Sequence, residues 1–242
     1  MVSLQSLSLA AVIALASGAG TAMPQNTSSV SSPDVTEGMK EVGYRFSWVP
    51  GEDGGDRFAY RFDYGVSLGA RTSLKFNARF EDQAGSKMRF GNINAEYLIE
   101  LTPERAKVWQ SGIRFDGRLS NGPDPERIGV NWLNRWRFAN GMQARVMLIA
   151  TRALGGEEDG TIAFEGRTSL SARIAGGHEI AMLAFLDLGT GRSADADGQD
   201  LQLGPAISGS LGHGWRWTAG NLFGLSGDTP HNDVRLWVSR DF

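Results

Sequence analysis

The sequence predicts an all-β fold: a transmembrane antiparallel up-and-down β-barrel of about twelve strands. Three observations predict it. One long run alternates with period two and has an aromatic apolar face, the same pattern recurs along the chain, and the gaps between runs are short and long by turns.

The clearest run is 58–68. Phe58, Tyr60, Phe62, Tyr64, Val66 and Leu68 share one side of an extended backbone, and Ala59, Arg61, Asp63, Gly65 and Ser67 share the other. Strands of soluble sheets average about five or six residues, whereas about nine to eleven cross a bilayer at the tilt of a barrel strand. A greasy, aromatic face opposite a charged one over that length implies lipid outside and a polar lumen inside.

Composition agrees with this. The 242 residues suffice for one barrel, and a hydrophobic content of 41% reflects strands of which only one face meets lipid. With no cysteine, disulfides and thiolate metal sites are excluded. A net charge of −3 gives no ground for a nucleic-acid partner.

Leu9 to Leu15 is a short apolar core followed by small residues through Ala22, and residues 1–22 read as a secretory signal. No Lys or Arg precedes that core, which leaves open a start further upstream. Residues 23–39, rich in Ser, Thr, Pro and Asn, read as a flexible periplasmic lead-in, with folding into the lumen as a plug the alternative that nothing in their composition favours, and the barrel is expected over 40–242.

From Glu41 onward the apolar phase repeats. The first strand carries Val42, Tyr44, Phe46 and Trp48, and later ones carry sets such as Leu74, Phe76, Ala78 and Phe80, or Ala144, Val146, Leu148 and Ala150. Tight turns are expected at 69–71, 102–105, 139–141, 175–177 and 212–214. Longer loops are expected at 50–56, 82–87, 120–126, 154–160, 189–199 and 227–232. Short periplasmic turns and longer external loops are the pattern of such barrels.

The last residues, from Val234 to Phe242, resemble the C-terminal insertion signal of Gram-negative outer-membrane β-barrel proteins. Val234, Leu236, Val238 and the terminal Phe242 match its alternating apolar positions and aromatic end, while Arg240 departs from it. The resemblance identifies a superfamily and no particular member. It implies the bacterial outer membrane as location, insertion by the barrel-assembly machinery, and contact with outer-membrane lipid and lipopolysaccharide. A monomer is expected.

If the apolar faces meet lipid, the opposite faces line the pore. They carry the cations Arg61, Lys75, Arg79, Arg114, Arg118, Arg135, Arg137, Arg145, Arg167, Arg173, Arg216 and Arg235, and fewer acids, among them Asp63, Glu96 and Glu165. Arginine in a pore favours anions, because its planar fork matches carboxylate or phosphate. The functional expectation is therefore a porin-like diffusion channel for small anionic solutes. The alternative is a filled, non-conducting barrel whose interior charges cancel and whose loops carry a structural, adhesion or docking role.

Neither a catalytic residue nor a cofactor nor a metal site is proposed. The three histidines, His178, His213 and His231, lie in or beside turns and loops, and no Ser stands at a spacing that would make His231 the base of a lipid hydrolase. Loop acids such as Glu157, Glu158, Asp159, Asp195, Asp197 and Asp200 read as solvated, since the last three lack the full spacing of a calcium loop. Most Trp residues share the lipid phase and read as an interfacial belt; Trp237 falls on the lumen phase, and Asn134 is a polar residue on the lipid phase.

Overall fold

A computed structural model describes residues 27–52, 55–82, 87–103, 106–122, 124–155, 160–191, 200–226 and 229–242. The expected secretory signal and most of the acidic loop residues lie outside them.

Twelve strands follow one another: β1 (Lys40–Glu52), β2 (Gly55–Gly69), β3 (Thr72–Asp82), β4 (Arg89–Glu100), β5 (Trp109–Ser120), β6 (Glu126–Arg137), β7 (Met142–Leu154), β8 (Ile162–Arg173), β9 (Glu179–Thr190), β10 (Leu201–Gly212), β11 (Trp215–Gly224) and β12 (Asp233–Asp241). Each pairs antiparallel with its neighbours, and β1 closes on β12 in register from Glu41↔Asp241 to Trp48↔Val234. Lys40 and Phe242 extend the seam by exchanging backbone hydrogen bonds of 3.2 and 2.9 Å. No open edge remains among these strands, as the hydrocarbon of a bilayer requires, because an unpaired backbone amide there has no water to turn to.

The period-two alternation sets which face is which. Phe62 is 51% exposed and Trp132 48%, whereas Leu133, the residue after Trp132, is wholly buried. Large exposed apolar side chains recur on the outer face of the strands, the inverse of a soluble protein. Tyr44, Phe46, Phe58, Tyr60, Phe62, Phe80 and Phe90 form a contiguous aromatic patch over β1–β4 with ring centroids 5.4–6.5 Å apart.

Three local expectations need adjustment. Of the loop expected over 50–56, residues 50–52 belong to β1 and 55–56 to β2, which run on past the apolar stretch, and 53–54 lie outside the described residues. The tight turn expected at 102–105 belongs to a longer connection, 101–108, in which Leu101 and Thr102 stay bonded to Ser111. Asn134 neither breaks the register nor faces lipid bare. It lies opposite Ser111 on the outer face, where the Trp109 indole donates to it at 3.1 Å and the Trp132 indole donates to Ser111 at 2.9 Å. The two rings thus cover a polar pair that lipid would not satisfy.

Arg240, the departure from the terminal apolar pattern, is also covered on one side, its guanidinium lying 5.6 Å from the Trp215 ring. Val234, Leu236 and Val238 share its face of β12, and Phe242 is exposed at the strand's end.

One close approach constrains the sequence. A Cβ at Gly204 would lie 1.8 Å from the Asn221 carbonyl oxygen of the neighbouring strand, so β10 and β11 meet only if that position is bare. Gly204→Ala is expected to reduce the folded fraction on refolding, read as loss of the faster-migrating folded band on a gel run without heating.

Candidate functional site

The candidate site is the lumen. Its wall is built from the inward positions of the strands, and the carboxylates there are shared among arginines. Asp63 on β2 accepts from Arg45 on β1 at 3.0 Å and from Arg61 at 2.7 Å. Arg61 also donates to Glu96 on β4 at 3.1 Å, and Arg114 on β5 donates to the other oxygen of Glu96 at 3.0 Å. Asn77 and Asn94 add further donors to Glu96. Three guanidiniums and two carboxylates thus span five consecutive strands.

Other cations singled out from the sequence fall into separate groups. Lys75 and Arg216 both reach Glu41 near the end where the chain enters the barrel, and Arg216 also pairs with Asp241. Arg79 pairs with Glu81, and Arg167 with Glu165. Arg135 and Arg137 converge on the side-chain oxygen of Gln110, whose amide donates to Glu100 at 3.0 Å. Arg235, 3% exposed, donates to the fully buried Asp233 at 2.7 Å, and Ser47 donates to the same carboxylate at 2.5 Å. Arg118 and Arg145 are engaged as well. Arg173 sits exposed near its strand end, opposite Glu179.

The lumen also holds a segment of the chain itself. Residues 27–35, expected as part of a free periplasmic lead-in, run inside the barrel: Thr27, Ser28, Val30 and Pro33 are buried. Five arginines from different parts of the wall hold this segment. Arg45 donates to the Thr27 carbonyl at 3.3 Å and to the Ser29 hydroxyl at 2.6 Å, and Arg235 donates to the Ser28 carbonyl at 2.9 Å. Arg167 reaches the Ser29 carbonyl at 3.5 Å, and Arg114 the Ser31 hydroxyl at 3.1 Å. Arg135 donates to the Ser32 hydroxyl at 3.2 Å and forms an ion pair with Asp34.

Apolar contacts complete the fit. Val30 packs into an inward cluster of Leu183, Phe185, Ala206 and Leu222 bordered by Trp237, the indole that the alternation places in the lumen. Pro33 lies over Gly112, where a Cβ would come within 3.1 Å of the proline Cβ. The Val35 amide donates to Glu100 at 3.2 Å. A turn then reverses the chain into β1: Met39 N–H donates to the Thr36 carbonyl at 3.2 Å, and Gly38 supplies the positive φ, 77°, at the third position.

With the segment in place, a cavity of about 50 Å³ remains beside it, room for a few water molecules. Asn92, Asn131, Thr151 and Arg118 lie on its wall.

Arg45 is a lumen residue that sequence reasoning missed, as are Arg57 and Arg127 on the inward phase of β2 and β6. The signal was present, since Arg45 shares the phase of Gly43 and Ser47 opposite Tyr44 and Phe46. Among the described residues, no group of three or more His, Asp or Glu is arranged to hold a metal ion.

A closed antiparallel barrel with an apolar exterior and a polar, charged lumen defines the class as that of the transmembrane β-barrels. Solved structures agree at the level of fold. The KdgM porin superposes with a TM-score of 0.59 at 10% identity, covering 84% of this chain and 99% of that one. An outer membrane channel from Pseudomonas putida F1 superposes with a TM-score of 0.62 at 10% identity, covering 86% and 97%. The KdgM porin in complex with disordered oligogalacturonate gives 0.59 at 9% identity, covering 84% and 99%. No family model and no curated protein matches the sequence, so the class is assigned and no particular family within it.

The Asp233 carboxylate compensates a buried guanidinium. Asp233→Ala is expected to cost about 3–5 kcal/mol, the usual penalty for stranding one partner of a buried pair, measured by denaturant unfolding in vesicles with tryptophan fluorescence.

Proposed function

We propose that the barrel is a diffusion channel for small anionic solutes. The observation that carries this reading is the line of inward arginines, Arg135, Arg114, Arg167, Arg45 and Arg235, which together hold an extended, oxygen-bearing chain within the lumen. Guanidiniums placed to donate to carbonyls and hydroxyls bind carboxylates more strongly, because a full charge–charge attraction and a bidentate geometry are added. A solute passing along that line exchanges part of its hydration for guanidinium contacts at successive positions, and multiple weak sites permit release as well as entry.

The likeness in fold to a porin and to an outer membrane channel supports the reading, as does the complex of the former with oligogalacturonate, an acidic oligomer. Residues 27–35 occupy part of the lumen, beside a cavity of about 50 Å³.

A second reading, a filled barrel whose function lies outside the lumen, is favoured by the carboxylate-bridged arginines and by the segment itself.

Planar-bilayer recording of the refolded chain under a salt gradient separates the two. Current steps with an anion-biased reversal potential are expected, and Arg137→Glu at the mouth is expected to move that potential toward zero. A folded, inserted protein that never conducts supports the filled barrel.

A further inference from the structure

The lumen segment has contacts of an unusual kind for so charged a wall. Of the five arginines that hold it, four bind neutral acceptors: the carbonyls of Thr27, Ser28 and Ser29 and the hydroxyls of Ser29 and Ser31. Asp34 alone brings a charge, to Arg135. The segment is therefore matched to the wall in shape, through Val30 and Pro33, and it leaves the charges of Arg45, Arg114, Arg167 and Arg235 to the wall carboxylates Asp63, Glu96, Glu165 and Asp233.

We propose that residues 27–35 are a built-in ligand of the channel, occupying the arginine line in place of solute and yielding it to an extended polyanion. This rests on the reading of the barrel as an anion channel. The competition has a physical direction. Carboxylates spaced along a chain add charge–charge attraction and bidentate geometry at guanidiniums that the segment engages through single neutral oxygens, and an occupant is displaced only to the extent that its competitor has greater affinity.

What keeps the segment in place without charge is its attachment. The 36–39 turn joins it directly to β1 at the mouth, and a short tether gives a local concentration on the order of millimolar. Weak contacts then suffice to keep the segment on the arginines most of the time, its brief departures passing small ions; a multivalent anion prolongs those departures, and the tether returns the segment once the anion has passed.

The chain contains no cysteine, which allows a clean cross-link. A Cβ at Gly112 lies 3.1 Å from the Pro33 Cβ, a few tenths of an ångström short of the usual disulfide range of about 3.5–4.5 Å, a gap that a small shift of the segment closes. The refolded P33C/G112C double variant is expected to form the bond, to stay closed while oxidised, and to regain current on reduction. A variant lacking residues 27–35 is expected to pass several-fold more current than the full chain. A hexa-aspartate peptide is expected to slow cross-linking of the reduced double variant, whereas a hexaserine peptide leaves the rate unchanged.

Equal current from the full chain and the deletion variant overturns the proposal and leaves the channel standing. A folded deletion variant that passes no current overturns both. Equal cross-linking rates with the two peptides overturn the competition by anions. Should the double variant fail to fold, the comparison of full chain and deletion variant still decides whether the segment closes the lumen.

Discussion

The closure of β1 on β12 is the constraint on which the rest depends. In hydrocarbon a strand can leave no backbone amide unpaired, so the twelve strands exist as a ring or not at all. Once the ring closes, the two faces of every strand have opposite fates, and side-chain placement follows from parity alone. Phe62 meets lipid because Arg61 and Asp63 meet the lumen. The exceptions are local repairs: the indoles of Trp109 and Trp132 cover Asn134 and Ser111, and the ring of Trp215 lies by Arg240.

Closure also creates an electrostatic problem. The ring places many guanidiniums inside a narrow interior, where an unpaired charge is costly. Asp63 and Glu96 answer part of it by each serving more than one arginine. Oxygens of residues 27–35 answer another part. The segment and the wall are in this sense one solution: the wall has donors in excess, and a Ser-rich stretch carries a dense supply of small acceptors without bulk.

The barrel was legible because its signal is periodic. Each strand states its parity several times over, so the alternation around Phe76 or Val146 survives an occasional polar residue such as Asn134. Strand ends were less legible, since residues beyond the apolar stretch, such as Val49 to Glu52, pair in the hairpin without alternating in polarity. Inward arginines could be found by phase, and Arg45 was within reach of the same rule. The place of residues 27–35 could not. Their partners lie on β1, β5, β6, β8 and β12, three of their acceptors are backbone carbonyls that every residue carries and three are serine hydroxyls, and a run such as Ser28 to Ser32 has the composition of a solvated linker.

The hydrogen bond from Arg235 to the Ser28 carbonyl joins residues 207 positions apart. Arg45 is available as soon as the first hairpin forms, whereas Arg235 arrives with the final strand. The segment's binding site therefore draws on the first strand, the middle strands and the last, and is complete only when the seam has formed. Its docking is a late event in folding, a contact of the highest sequence separation, made after the slow search for strand partners is over. An interior held by such a contact distinguishes a finished barrel from one still lacking its last strand.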